Sequence, residues 1–335
     1  MSGPGGARGV GPHHPCGCGT LSGRASSRGA PRPAPRCGAR TLFEPPAPKL
    51  RPVAEVPVVR GDRVDIGTVR RHFSSHAREY DLHAVVQKRV ASRLVELIGE
   101  SGVGPGPALD VGTGTGDLDR RLLRSCPGLD LVISDLSHGM TCHAAAALAG
   151  SAAVDADAQA LPFRTGSFSL LLSASVYQWV NDLPGAFAEG SRVLAPVGRF
   201  AFALFGDGTL KELKEAHRLA LAETGGRRVS HVQEFPGLAE VRRAMGTAGF
   251  SSIHAFAEDE VESHRDVPSL LRCLKGIGAA NASAHRPPGL APRRVISRMM
   301  ALYAERYARD GRIPATYRVI YGLASKPGGA LLRGS

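Results

Sequence analysis

Leu109-Asp110-Val111-Gly112-Thr113-Gly114-Thr115-Gly116 decides the fold of this chain. A short apolar run over 108–111 ends in three glycines spaced two apart, and helical spacing follows over 117–125. Glycines at such a place let the backbone turn sharply and approach a ligand at the carboxyl edge of a sheet. A dinucleotide fingerprint needs a third glycine three residues after the second. Counted from Gly112 and Gly114 that position is Asp117, and counted from Gly114 and Gly116 it is Asp119. An acid at a helix start repels a pyrophosphate. With Asp110 ahead of the glycines, the turn suits a ligand without phosphate.

Outward from this turn, strands and helices alternate. Apolar runs at 129–133, 151–154, 168–172 and 198–205 read as strands, and 137–148 and 183–194 as helices. Alternation of this kind predicts an α/β fold with a parallel, doubly wound sheet. Helical spacing recurs over 210–223, 238–248, 267–277 and 295–307, with strands predicted at 252–260 and 317–324. Upstream, 68–80 and 82–99 are read as helices. In the second of them Val85, Val86, Val90, Leu94, Leu97 and Ile98 recur three and four apart.

Two further acids follow strands. Asp135 ends the second strand, where a carboxylate accepts from both hydroxyls of a ribose. Asp157 lies just past the third, where it would accept from an adenine amino group. Taken singly, Asp135 also reads as a helix N-cap and Asp157 as a solvated loop acid. Three acids after three successive strands point to a cationic nucleoside, S-adenosylmethionine.

These residues are those of the class I, Rossmann-like methyltransferases. The likeness narrows at Phe73-Ser-Ser-His-Ala-Arg-Glu-Tyr80-Asp-Leu-His83-Ala-Val-Val-Gln87, which resembles the N-terminal signature of the malonyl-[acyl-carrier protein] O-methyltransferases of biotin synthesis. Ser173-Ala-Ser-Val-Tyr-Gln178-Trp179 and Phe205-Gly-Asp-Gly-Thr209-Leu-Lys-Glu-Leu213 resemble that family's segments after the fourth and fifth strands. Ser269-Leu-Leu-Arg272-Cys-Leu-Lys275-Gly276-Ile-Gly278-Ala-Ala-Asn281 resembles its cap helix and the turn that ends it, and Ile313-Pro-Ala-Thr316-Tyr317-Arg-Val-Ile-Tyr321-Gly322 its final strand. The resemblance spans about 69–324. Two positions depart from the family: Ala174 stands where Asn is usual, and Pro196-Val197-Gly198 replaces a Pro-Gly-Gly turn.

The resemblance implies a seven-stranded, mostly parallel sheet with helices on both faces and a small helical cap (about 263–312) between the last two strands, in a methyltransferase domain spanning 64–335. It implies methylation of the free carboxylate of malonyl-[acyl-carrier protein], or malonyl-CoA, with S-adenosylmethionine as donor and no metal. Cofactor-binding residues are expected at Asp110, Gly112, Thr113, Gly114, Gly116, Asp135, Leu136, Met140, Asp157, Ala158 and Ser173. Tyr80, Gln178 and Trp179 are expected at the reacting centre, and Arg272 and Lys275 in substrate binding. A malonyl carboxylate is ionised near pH 7, so catalysis needs alignment and exclusion of water rather than a general base. The alternatives are a methyltransferase of the same fold acting on another small-molecule acceptor, and a non-catalytic S-adenosylmethionine-binding protein.

The 335 residues carry 42 Lys plus Arg against 30 Asp plus Glu, a formal charge of +12. Residues 1–63 contribute +7 of it, with 11 of the 24 prolines and a single Phe as their aromatic residue. Such a segment buries too little apolar surface to offset its ordering entropy, and it reads as a disordered Gly/Pro/Arg-rich leader. An untranslated stretch read as protein is the favoured origin, ahead of a transit segment and a nucleic-acid-binding tail. The tail lacks aromatic residues interleaved for base stacking, so no nucleic-acid partner is expected. His13, His14, Cys16 and Cys18 have no second half at zinc-site spacing. Six cysteines do not make a disulfide scaffold, and no apolar run of about 18 residues occurs. A reduced, cytoplasmic protein with no membrane partner is the expectation.

Overall fold

The computed structural model describes residues 63–224, 234–278 and 292–328. The leader expectation, the His13/Cys16 cluster and Asn281 lie outside the described residues. Strands β1 (Ala108–Val111), β2 (Leu131–Asp135), β3 (Ala152–Asp155), β4 (Phe168–Ala174), β5 (Leu194–Phe205), β6 (Ser251–His264) and β7 (Ile313–Ser325) form one sheet in the order β3-β2-β1-β4-β5-β7-β6. Pairing is parallel from β3 through β5, whereas β7 runs antiparallel to both β5 and β6. β1 has β2 on one side and β4 on the other, so strand order reverses there. A crevice opens at the carboxyl ends of strands at such a point.

Helices cover both faces. Leu94 of α3 (Val85–Ser101), Leu122 of α4 (Asp117–Ser125), Leu213 of α7 (Lys211–Thr224) and Met299 of α10 (Arg293–Tyr307) share one core cluster. Phe187 of α6 (Leu183–Val193) and Val241 and Met245 of α8 (Leu238–Thr247) belong to the cluster on the other side. Each fully buried side chain of this kind contributes about 1.5–3 kcal/mol. Helix α5 (His138–Ala147) starts where Ser137 accepts from the Met140 N–H. Helix α9 (Val267–Gly276) starts on a capping box of Asp266 and Ser269. Helices α9 and α10 lie between β6 and β7 in the chain, as the expected cap does.

Three boundaries differ from the sequence reading. The expected helix over 68–80 is broken: α1 (Ile66–His76) stops, and a single turn, α2 (Tyr80–His83), follows. The Ser75 hydroxyl donates to His72 O and His76 Nδ1 lies 2.7 Å from the same oxygen, side-chain bonds that compete with helix continuation. Beyond the break, Asp81 Oδ1 accepts from Thr115 Oγ1 at 2.7 Å, which ties α2 to the glycine turn. β5 starts at Leu194 rather than 198, with Val197 in the left-handed region at φ 58°. β6 and β7 extend beyond the predicted spans because they pair continuously from Ala255–Gly322 to His264–Ile313.

Candidate active site

The chain leaves β1 through Gly112 at φ +81°, where a Cβ would lie 2.1 Å from a Val176 methyl. No other residue fits this close approach of the glycine turn to the segment after β4. The Gly112 and Thr113 N–H groups both donate to Ser134 O, at 2.7 and 2.9 Å, which locks the turn against β2. The Gly114 N–H donates to Asp135 Oδ2 (3.0 Å) and the Ser137 N–H to Asp135 Oδ1 (2.8 Å). The Asp135 carboxylate is held at both oxygens, and each keeps a further lone pair for a ligand hydroxyl. Burial pushes its pKa up to about 6.

Asp110 is 1 % exposed, and neither of its oxygens has a hydrogen-bond partner. Asp119, fully buried beside it, accepts from Thr113 Oγ1 at 2.5 Å. Burial first, and then the Asp119 charge, push Asp110 well above the ordinary carboxylate range; burial raises Asp119 to about 6. An orphaned buried carboxylate is costly unless a cation arrives to pair with it. An amino acid's ammonium group is such a cation.

Two clefts meet at this turn. The larger, about 750 Å³, runs past Asp135, Leu136, Met140, Asp157 and Ala158. The smaller, about 460 Å³, runs past Asp110, Thr113 and Lys88. Tyr80, Gly112, Gly114, Ala174 and Ser175 belong to both walls.

Helices α1 and α2 roof the junction. Phe73 packs against Tyr80 (centroids 6.3 Å apart) and edge-on against Trp179 (5.9 Å), whose other edge meets Phe235 (6.2 Å). Asn181 clips the start of this roof: its Oδ1 accepts from Val64 N (2.8 Å) and its Nδ2 donates to Val64 O (3.0 Å). The cap braces the roof from outside. A Cβ on Gly276 would lie 2.2 Å from the His83 ring, so the end of α9 packs directly on α2. Burial and the Asp135 charge raise the Tyr80 hydroxyl far above neutrality, so it stays protonated.

Several expected residues stand elsewhere. Ser173 is fully buried, and its hydroxyl donates to Val111 O (2.7 Å), which stitches β4 to β1 rather than facing a cleft. Gln178 is 1 % exposed; its Nε2 donates to Ser175 O and its Oε1 accepts from Phe205 N, so it braces the segment after β4 from behind. Gly116 precedes α4 in the left-handed region and lines neither cleft. Arg272 and Lys275 are exposed on α9, away from both walls. The sequence reading missed Ile66, Val69 and Arg70 of α1 and the backbone at Ser175, all on the larger cleft. The apolar spacing of α1 was visible, but nothing in it told which surface that face would cover.

Acids at the ends of β1 and β2 and just beyond β3, on a sheet of this order with β7 reversed, define a class I S-adenosylmethionine-dependent methyltransferase. Residues 109–202 match the family described as "Methyltransferase domain". The chain is 47 % identical over 268 residues to the malonyl-[acyl-carrier protein] O-methyltransferase of Geobacter sulfurreducens, covering 78 % of this chain and 100 % of that protein. It is 38 % identical to the protein of the same name from Halorhodospira halophila (79 % of this chain, 90 % of that one) and 34 % identical to that of Gallionella capsiferriformans (79 % and 92 %). The chain belongs to the malonyl-[acyl-carrier protein] O-methyltransferase family. Among the described residues, no cluster of His, Cys, Asp or Glu is disposed to hold a metal ion, and no helix is long and apolar enough to cross a membrane.

Proposed function

We propose that this enzyme esterifies the free carboxylate of a malonyl thioester, carried on acyl-carrier protein or on CoA, as an early step of biotin synthesis. The ester hides the charge, so the acyl chain can be elongated as an ordinary fatty chain. The observation that carries this reading is the 47 % identity along the whole length of the Geobacter sulfurreducens enzyme.

Bound in the joined clefts, S-adenosylmethionine supplies an electrophilic methyl group. Asp135 and Asp157 hold the adenosine, with Leu136, Met140 and Ala158 against it, and Asp110 pairs with the ammonium. Gly112, Thr113 and Gly114 let the backbone come close. The acceptor is already anionic at pH 7, so the site has only to align it and exclude water. Phe73 and Trp179 dry the junction, and the Tyr80 hydroxyl donates to the incoming carboxylate without competing as a base. Arg70, at the mouth of the larger cleft, attracts the anion. Arg272 and Lys275 are exposed on the cap, where an acidic carrier protein docks. A cytoplasmic setting goes with this reading, since Cys126, Cys142 and Cys273 are all free thiols.

The test incubates the protein with S-adenosylmethionine and either malonyl-carrier protein or malonyl-CoA, and weighs the product by mass spectrometry. The expected product is a mono-methyl ester, 14 Da heavier than the substrate by the chemistry of replacing one proton with a methyl (about 14 Da). Absence of ester from both thioesters, with S-adenosylhomocysteine still bound, would overturn the reading.

A further inference from the structure

Among the described residues, five large hydrophobic side chains are exposed, and three of them stand beside the roof of the site: Leu82 (75 % exposed), Val85 (43 %) and Val261 (52 %). Leu82 lies on the single turn α2, and Val85 opens α3. Arg89, one helical turn on from Val85, donates to Val261 O at 3.3 Å, which brings this valine of β6 alongside. The same turn α2 carries Tyr80, which belongs to the walls of both clefts. The apolar patch therefore stands on the outside of the roof, two residues from the junction.

Cations rim this apolar centre. Arg78 stands just ahead of α2. Gly276, at the end of α9, packs on the His83 ring of α2. Arg272 is four residues before Gly276 and shares its helix face, and Lys275 adjoins it. Arg78, Arg272 and Lys275 are all exposed, and none makes a hydrogen bond or salt bridge among the described residues. The acids nearby are engaged instead: Asp81 accepts from Thr115 at 2.7 Å, and Glu260 pairs with Arg89 at 3.1 Å. Glu79 is left as the exposed acid of the turn. Exposed hydrophobic side chains scattered singly need no explanation, whereas a patch with a polar rim marks a contact site. A rim of one sign selects a partner of the other, here an acidic one.

We propose that the α2–α3 turn is a docking surface for an acidic protein domain, with Leu82 and Val85 as its apolar anchors and Arg78, Arg272 and Lys275 steering the approach. The partner's identity rests on the function proposed above, under which it is acyl-carrier protein. A carrier seated on this turn stands beside Tyr80, so the arm that bears the malonyl group enters at the junction. CoA has no protein surface to set against Leu82. The turn therefore separates the two thioesters through KM, while the junction itself serves both. A small apolar centre also suits a carrier that must leave after each turnover.

The test compares malonyl-carrier protein and malonyl-CoA as acceptors for the full chain, Leu82→Glu and Val85→Glu. Both variants should melt as the wild-type chain does, because the side chains are exposed. KM for malonyl-carrier protein should rise about tenfold or more, the scale of a lost interface anchor, with kcat retained. KM for malonyl-CoA should stay within about twofold of the wild-type value. Arg272→Glu should act in the same direction, and the wild-type preference for the carrier should weaken as salt rises. Calorimetry with a carrier that bears no malonyl group reads docking without catalysis, and its binding should be lost in Leu82→Glu. That loss, alongside no ester from either thioester, would sink the function proposed above and leave the docking surface standing. Equal rises in KM for both thioesters, or carrier binding unchanged in both variants, would overturn the proposal. So would a wild-type dimer that Leu82→Glu splits with carrier binding intact, since a second copy would then cover the patch.

Discussion

At the scale of single residues, the site is organised by what Asp135 already holds. Its two oxygens accept from the Gly114 and Ser137 N–H groups, so the carboxylate is oriented before any ligand arrives. Asp135→Asn keeps the size but turns one acceptor into a donor against a backbone N–H. S-adenosylhomocysteine affinity should fall by about 1–3 kcal/mol, roughly 5- to 150-fold, measured by calorimetry. The place of Asp135 at the end of β2 was legible in the sequence because the apolar run of that strand stops at it, although an acid there also reads as a helix N-cap. Gln178 was not, because its neighbours Tyr177 and Trp179 share its segment, and only the bonds to Ser175 O and Phe205 N reveal that it faces inward. Val197 is the converse case, a family departure whose backbone the structure shows in the left-handed region. A β-branched residue at φ 58° and 72 % exposed stands where glycine is at ease. Val197→Gly should relieve that strain, less the entropy that glycine adds to the unfolded chain. A net gain of about 0.5–1 kcal/mol is expected, read as a rise in Tm of about 2 °C.

At the scale of elements, α1 and α2 matter most, and here the sequence was only partly readable. Their helical character followed from spacing. The break after His76 did not, because side-chain bonds from Ser75 and His76 to His72 O leave the apolar spacing unchanged, and α2 is then fixed by Asp81 meeting Thr115 across 34 residues of chain. The roofing role of α1 likewise depends on partners distant in sequence: Val64 on Asn181, Phe73 on Trp179, and the Ser74 hydroxyl 2.8 Å from that of Ser137. Trp179 is the chain's only tryptophan, so its fluorescence reports the roof directly. Asn181→Ala leaves the buried Val64 N–H and C=O without their side-chain partner. An unsatisfied buried group costs about 1–3 kcal/mol, enough to loosen the start of α1. Acrylamide quenching of Trp179 should increase, and methyl transfer should slow while the far end of the cleft still binds adenosine. Unchanged quenching would place the anchor of the roof elsewhere, at the Ser74–Ser137 contact or the cap.

At the scale of the whole molecule, strand alternation was legible because each strand is a short apolar run with a turn behind it. The reversal of β7 was less so, since a strand's direction depends on its neighbours and not on its own residues. Charge changes meaning at this scale as well. The chain is basic in sum, yet its candidate site gathers the acids Asp110 and Asp119, both buried, and the half-buried Asp135, all with raised pKa values and the last two at about 6. In the unfolded chain these groups titrate near 3.8. Between that value and 6 the folded state therefore holds more protons than the unfolded one. By linkage, the contribution of Asp119 and Asp135 to stability falls as pH rises through this window and is level above it, and the raised Asp110 acts in the same direction. Exposed acids such as Asp65, Glu223 and Asp266 have lowered values; their stabilisation is present above their unfolded pKa and is lost only at more acid pH. In the proposed binding mode, the ligand reverses the sense for Asp110 and Asp135, because their ionised forms would hold an ammonium and a ribose. The rise in Tm produced by a fixed excess of S-adenosylhomocysteine should then be larger at pH 7.5 than at pH 5, and Asp135→Asn should shrink that difference. An equal rise at both pH values would mean that these carboxylates hold the ligand in neither state.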